Sequence, residues 1–257
     1  MYSLSNKTVI ITGSASGIGK ATALQIAAAG ANVALIDIQD SKQTADEIIN
    51  NNGSVITFKT DVTDAQQMKE AFSQTAEKWG KIDGVFSNAG MNGKVTPIED
   101  FEPSDWDHTL AVNLKSSFLS TKYAIPYMKE TGGSIIITSS INGNRTFSAL
   151  GMSAYSSSKA GQVAFSKMAA VELRPYNIRV NTICPGAVQT NILDRTYRDE
   201  GQLEKITQTG GHNNEGANLD QAVSPDKIAN LVLFMLSDES AHITGTEVYI
   251  DGTESLS

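Results

Sequence analysis

The sequence predicts an α/β fold: a doubly wound parallel sheet of about seven strands, helices on both faces, in one domain over residues 1–257. Three observations lead there. Short apolar runs recur at 8–12, 32–36, 55–58, 82–86, 134–138, 179–183 and 246–250. Most are near-continuous in Val, Ile and Leu, as expected of strands covered on both faces. Between them lie amphipathic stretches at about 18–29, 41–51, 65–79, 104–129, 153–174 and 225–237, the alternation of a parallel sheet with crossover helices. Gly30, Gly53, Gly80 and the Gly132-Gly133 pair stand where those helices should stop, as left-handed helix ends.

Composition narrows the function classes. Hydrophobic residues at 40% and charged residues at 19% describe a globular chain and argue against disorder. A formal charge of −8 without a basic stripe makes nucleic acid an unsuited partner. The single cysteine, Cys184, rules out an intrachain disulfide and a Cys-rich zinc site. The histidines, His108, His212 and His242, are too widely spaced to resemble a metal-binding pair, so no metal is expected. The first residues lack the charged start and apolar run of a signal peptide, and no stretch reaches the length of a membrane span. A soluble, cytoplasmic protein is expected.

Along the chain, the first strand runs into Thr12-Gly13-Ser14-Ala15-Ser16-Gly17-Ile18-Gly19 and directly into a helix. Glycines at such a turn let the backbone approach a pyrophosphate, and the helix start offers free N–H groups and partial positive charge. A plain tight turn would also use glycine. The second strand strengthens the dinucleotide reading, since Asp37 follows it, placed to accept hydrogen bonds from the adenosine ribose of NAD. An acid there repels the extra phosphate of NADP: two unit charges 4 Å apart at an effective dielectric of 20 cost about 4 kcal/mol. Screening reduces this, yet roughly two orders of magnitude in favour of NAD remain. Capping of the next helix is the alternative role for Asp37. Asp61 and Val62, after the third strand, could hold the adenine edge, or Asp61 and Thr63 could cap the following helix.

The fourth strand ends in Ser87-Asn88-Ala89-Gly90, the fifth in Ser139-Ser140, and the sixth leads into Cys184-Pro185-Gly186-Ala187-Val188-Gln189-Thr190. Ligands of open parallel sheets sit at the carboxyl ends of strands. Five strands carrying Gly, Asn, Ser, Asp or Pro-Gly at that edge exceed what turns alone require. Asn113, in Ala111-Val112-Asn113-Leu114, is a poor helix-interior residue, so it is either compensated by a partner or solvated. Tyr155 and Lys159 open the helix at 153–174, four residues apart and hence on one face. A tyrosine titrates near 10, and a cation within about 4–6 Å lowers an acid's pKa by about 1–3 units, which brings a phenolate into useful range. From about 189 to 223 the chain turns polar and rich in Gly and Asn, the character of a substrate lid or of a surface excursion.

With these residues in view, the sequence resembles the short-chain dehydrogenase/reductase family in its compact NAD-dependent form, from Thr12-Gly13 to Ile250-Asp251-Gly252. The resemblance implies a Rossmann-type fold and an oxidoreductase that interconverts a secondary alcohol and a ketone. In it Tyr155 would be the general acid/base, Lys159 would lower its pKa and hold the nicotinamide ribose, and Ser140 would bind the reacting oxygen. Asn113 would anchor a water linking Lys159 to solvent. Gly13, Ser16, Gly17, Ile18, Gly19, Asp37, Asp61, Val62, Asn88, Ala89 and Gly90 would line the nucleotide, and Pro185, Gly186, Val188 and Thr190 the nicotinamide side. Relatives of this kind are commonly homotetramers built through the helix at 153–174 and the long one before it. That helix carries Ala160, Gly161, Ala164, Phe165 and Met168, a face that could equally rest on the sheet.

The match has departures. Ser87 stands where the family usually has Asn, Thr253 where it usually has Gly, and Ser140 lies 15 residues before Tyr155, two more than the common spacing. Ser139 is therefore a rival for the serine role; neighbouring strand residues face opposite ways, so one of the two points at the site. Asn92, Asn142, Asn144, Arg145, His212 and Asn213 could give the pocket a polar lining suited to a hydroxylated substrate, or serve ordinary loops. Two other functions compete. A 3-oxoacyl-thioester reductase shares the pattern but usually takes NADPH, against which Asp37 argues. A non-catalytic NAD-binding protein is possible on any such fold, but the Tyr155–Lys159 pair would then lack a purpose.

Overall fold

The structure, a computed structural model, describes residues 2–147, 149–210 and 222–256. The first half runs β1 (Thr8–Thr12), α1 (Gly17–Ala28), β2 (Asn32–Asp37), α2 (Lys42–Asn50), β3 (Ser54–Lys59), α3 (Ala65–Trp79), β4 (Gly84–Ser87), β5 (Lys94–Val95), α4 (Pro103–Leu110) and α5 (Ser116–Met128). The second half runs β6 (Gly133–Thr138), α6 (Ser153–Leu173), β7 (Ile178–Pro185), β8 (Tyr197–Arg198), α7 (Glu200–Gly210), α8 (Pro225–Leu236) and β9 (Glu247–Ile250).

Seven strands form one parallel sheet in the order β3-β2-β1-β4-β6-β7-β9. Strand order reverses between β1 and β4, and that switch point opens a crevice at the carboxyl edge. Alternate residues of each strand feed two cores. Ile10, Ala34, Val85 and Ile135 meet Met68 and Phe72 of α3, Leu119 of α5 and Leu173 of α6 on one face. Val9, Leu35, Phe86 and Ile136 meet Ile26 of α1, Ile48 of α2 and Val232 of α8 on the other. Near-continuous apolar strands arise because both faces are covered, each large aliphatic contributing about 1.5–3 kcal/mol on burial.

Three local expectations are corrected. The stretch at 104–129 is not one regular helix: α4 passes through a π-helical turn, Ala111–Lys115, before α5 begins. A single π turn continues the helix with only its hydrogen-bond step changed, and composition does not mark it. Gly80 closes α3 in the left-handed region at φ 80°, but after α2 that conformation belongs to Asn52 at φ 60°. Gly53 is needed for space instead, since a Cβ there would stand 2.6 Å from the Ile48 side chain. The described part of the insert after β7 carries regular elements where its composition predicts an irregular stretch. Its neck is tied by the Val188–Val223 bridge, β8 pairs with β5, and α7 follows. Residues 211–221 of the expected lid, with His212 and Asn213, lie outside the described residues.

Candidate active site

The turn after β1 is built by close approach. Gly13 has φ 69°, and a Cβ on Gly19 would lie 1.9 Å from the Gly13 carbonyl oxygen. Ser16 precedes α1 without a side-chain cap, and the first turn carries no acidic residue, so the leading N–H groups stay available to an anion. Thr190 comes within contact of Gly17 from across a cleft of about 740 Å³, bounded by Ser16, Gly17 and Lys20 on one side and residues 188–191 on the other. This cradle, which a Cβ would fill, fits an extended dinucleotide with its pyrophosphate at the helix start.

Asn88 braces that turn from the end of β4. Its Nδ2 donates to the carbonyls of Thr12 and Gly13, each at 3.3 Å, and its Oδ1 accepts from Thr138 Oγ1 at 3.2 Å. Thr12 Oγ1 in turn accepts from the backbone N–H groups of Asn88 and Ala89. Thr12 and Thr138 were not singled out in the sequence, although each ends a strand beside a residue that was.

Asp37 ends β2 and does not cap α2. One carboxylate oxygen accepts from Ala15 N and the other from Gln39 N, both at 2.9 Å, which pins the group beside the glycine turn. Asp61 does not cap α3 either: it accepts from Thr63 N and Oγ1, while Asp64 caps the helix through Gln66 N and Gln67 N. Val62 is buried in the core. Arg195, on the insert, reaches Gln39 Oε1 at 3.0 Å. A cation 156 positions away from Gln39 is thereby drawn towards the adenosine end, a proximity that local sequence cannot display.

Asn113 is fully buried. Its Oδ1 accepts from Met91 N, and its Nδ2 donates to Met91 O and Ser158 Oγ, all at 2.9 Å. Its carbonyl, within the π turn, accepts from Ser117 Oγ and Gln162 Nε2. The solvated alternative is thus overturned, and the groups expected to anchor a water are engaged by protein. Gly90 lies close by: a Cβ there would stand 3.2 Å from Asn113 Oδ1 and 3.5 Å from Lys159 Nζ.

Of the two serines ending β6, Ser139 donates to the Lys159 carbonyl and accepts from Asn144, facing away from the cleft. Ser140 is the one that hydrogen-bonds with the Tyr155 phenol. Lys159 Nζ donates to Thr138 O at 2.8 Å and lies 5.6 Å from the Tyr155 ring centre. Burial pushes the Tyr155 phenol above its ordinary value, opposed by the Ser140 hydrogen bond. Burial also lowers the Lys159 ammonium to about 8 and raises the Cys184 thiol to about 11. The expected downward pull of Lys159 on the phenol is therefore not what dominates here; desolvation is, because both groups leave water together.

Pro185 ends β7, its carbonyl accepting from Ile141 N. Gly186 packs under Glu254, whose carboxylate accepts from Ala187 N at 2.8 Å. Of the described residues considered for the substrate lining, the half-buried Asn92, Asn142 and Asn144 are paired within the protein, and Arg145 is exposed. Asn92 donates to Thr196, Asn142 accepts from Ser156, Asn144 donates to Ser140 O, and Arg145 stacks 3.5 Å from the Tyr249 ring centre. Beside the first turn of α6 lies a cleft of about 560 Å³ lined mainly by Pro97, Ile98, Phe147, Leu150, Met152 and Ile206.

Residues 13–253 match the family described as Enoyl-(Acyl carrier protein) reductase. The chain is 33% identical over 257 residues to the levodione reductase of Leifsonia aquatica, covering 97% of this chain and 94% of that one. Among solved structures, a 3-ketoacyl-ACP reductase from Sinorhizobium meliloti 1021 superposes with a TM-score of 0.87 at 38% identity, covering 97% and 99% of the two chains. Carveol dehydrogenase from Mycobacterium avium, in complex with NAD, superposes with a TM-score of 0.87 at 25% identity over 100% of both chains. With its reversed seven-stranded sheet, its glycine turn and the Tyr155–Lys159 pair at the carboxyl edge, this chain belongs to the short-chain dehydrogenase/reductase family of oxidoreductases.

Proposed function

We propose that the protein is an NAD(H)-dependent oxidoreductase interconverting a secondary alcohol and a ketone, with a largely apolar substrate body. The observation that carries the reading is the Tyr155 phenol hydrogen-bonded to Ser140, with Lys159 buried one turn further along the same helix, at the sheet edge beside the glycine turn. NAD, when bound, would accept or supply the hydride. Gly13, Ser16, Gly17, Ile18 and Gly19 would seat its pyrophosphate, Asp37 its adenosine ribose, and Asn88, Ala89, Gly90 and Thr190 its flanks.

Tyr155 takes the hydroxyl proton during oxidation and returns it during reduction, while Ser140 holds the reacting oxygen. Burial makes the phenol a better proton holder than an exposed tyrosine, so proton release needs the charge of Lys159. A cationic nicotinamide ring close to that ammonium would add to the pull. Lys159, lowered to about 8, keeps mostly its charged form at neutral pH. Asn113 holds the loop after β4 against the first turn of α6.

The apolar substrate body is supported by the cleft at Ile98, Phe147 and Ile206 and by the inward pairing of the nearby asparagines. The relatives named as acting on levodione and carveol agree with it. A second reading, a 3-oxoacyl-thioester reductase, is favoured by the family description and by the reductase from Sinorhizobium meliloti. The pinned carboxylate of Asp37 weighs against its usual NADPH.

We also propose a homo-oligomer, in keeping with a tetramer built through α5 and α6. Phe118, Met168 and Val171 are exposed there at 45%, 59% and 70%, more apolar surface than a free helix face needs. The function is tested by offering alicyclic alcohols, polyols and acyl thioesters with NAD(H) and NADP(H) and following absorbance of the reduced nicotinamide. Oxidation of alicyclic alcohols with NAD is expected. Tyr155→Phe should keep NAD binding and lose at least about two orders of magnitude in rate. A Tyr155→Phe protein of near wild-type rate removes the proposal.

A further inference from the structure

We infer that Gln162 is a positioning residue for this site, holding the π turn at Asn113 so that the loop after β4 and the first turn of α6 stay in register. This rests on the oxidoreductase reading above. Gln162 lies on the buried face of α6, 1% exposed, among Ser158, Lys159, Val163, Ser166 and Ala169. Its Nε2 donates to the Asn113 carbonyl at 2.9 Å and to Ser117 Oγ at 2.8 Å. Its Oε1 has no hydrogen-bond partner among the described residues.

That imbalance argues for a role beyond stability. A buried acceptor left unmatched costs about 1–3 kcal/mol, and an apolar side chain of the same shape would remove that cost. The amide is nevertheless present, and its Nε2 joins the Asn113 carbonyl, inside the π turn, to Ser117 Oγ. Departures from local rules of this kind tend to mark functional sites.

The path onward is short. Asn113 grips Met91 N and O with its side-chain amide, and its Nδ2 also donates to Ser158 Oγ. Ser158 Oγ donates to the Tyr155 carbonyl at 2.7 Å. Gly90, beside Met91, lies against Lys159 Nζ. If the Asn113 carbonyl lost its donor from Gln162, the π turn could relax, and Tyr155 and Lys159 would lose their common reference.

The test compares Gln162→Met, which keeps the shape and removes both polar atoms, with Gln162→Glu, which keeps the shape and donates only when its carboxyl is protonated. Lys159, one turn earlier on α6, is the charged neighbour; Asn113, Ser117 and Ser87 from the other elements are uncharged. Gln162→Met should remain folded with unchanged NAD binding, lose at least about tenfold in kcat, and shift the pH midpoint of kcat. Gln162→Glu should exceed Gln162→Met at the acid end and fall towards it as the carboxyl ionises. A Gln162→Met enzyme with wild-type kcat and pH profile overturns the inference, as does a Gln162→Glu profile parallel to that of Gln162→Met. If Gln162→Met does not fold, the pH profile of Gln162→Glu against wild type decides alone: a loss with ionisation supports the role and an unchanged profile refutes it. A Tyr155→Phe control separates the two levels. An inactive Tyr155→Phe beside an unaffected Gln162→Met sinks only this inference, whereas an active Tyr155→Phe sinks the oxidoreductase reading itself.

Discussion

Replacing Lys159 with Met should abolish activity and change how stability responds to alkali. Lys159 is 4% exposed, and burial lowers its ammonium to about 8 from an ordinary 10.5. At about 1.36 kcal/mol per pKa unit, holding it charged at neutral pH costs the fold about 3 kcal/mol. Its bond to the Thr138 carbonyl, worth about 1.5–3 kcal/mol for a charged donor, offsets much of that within the native state. Lys159→Met should therefore be about as stable as wild type, or more so, at pH 7. Because the native pKa is depressed for a base, the unfolded chain binds the extra proton between pH 8 and 10.5. Wild-type stability should then rise through that window relative to Lys159→Met, by about 2 kcal/mol between pH 7 and pH 9.5. Urea unfolding of both proteins at one protein concentration, at pH 7 and pH 9.5, measures the difference. Parallel pH dependence would mean that the ammonium is not desolvated, and the electrostatic account of the site would fall.

Three more outcomes are expected. Asp37→Ala should narrow the preference for NAD over NADP by at least about tenfold in kcat/KM; an unchanged ratio would remove the carboxylate from ribose recognition. Gly19→Ala should lose dinucleotide binding and about 1–3 kcal/mol of stability, because its Cβ would meet the Gly13 carbonyl at 1.9 Å; isothermal titration giving wild-type affinity would contradict this. Replacing Met168 and Val171 together by Asp should reduce the particle mass seen by light scattering; a wild-type protein that is already a monomer would end the oligomer proposal.

Much of the site was legible in the chain because it depends on short-range patterns. The seven strands declare themselves through runs of Val, Ile and Leu whose alternate residues enter two cores. The glycine turn and the Tyr155–Lys159 pair are local spacings, and a four-residue step on a helix brings two side chains to one face wherever the helix sits. Gln162 was not legible, because it shares its helical face with Ser158, Lys159 and Ser166 and a solvated position would look the same in a sequence.

Other features come from contacts between segments far apart in the chain. Ser139 and Ser140 are equivalent as neighbours; β6 pairing and the seat of α6 turn Ser140 towards the phenol. Asn113 is either solvated or compensated until the π turn buries it against Met91, Ser158 and Gln162. Asp61 and Thr63 stand as the candidate caps in the sequence, and the start of α3 uses Asp64 instead.

By itself the sequence determined the doubly wound sheet, its crevice and the identity of the chemical groups at the edge, because strand period, helix period and glycine placement are properties of neighbouring residues. Tertiary structure alone decided which serine faces the phenol, which side chains meet the Asn113 carbonyl and how far the phenol and ammonium are displaced from their solution behaviour. Those depend on removal of water and on hydrogen-bond partners supplied from other elements, and neither is written in any local stretch of chain.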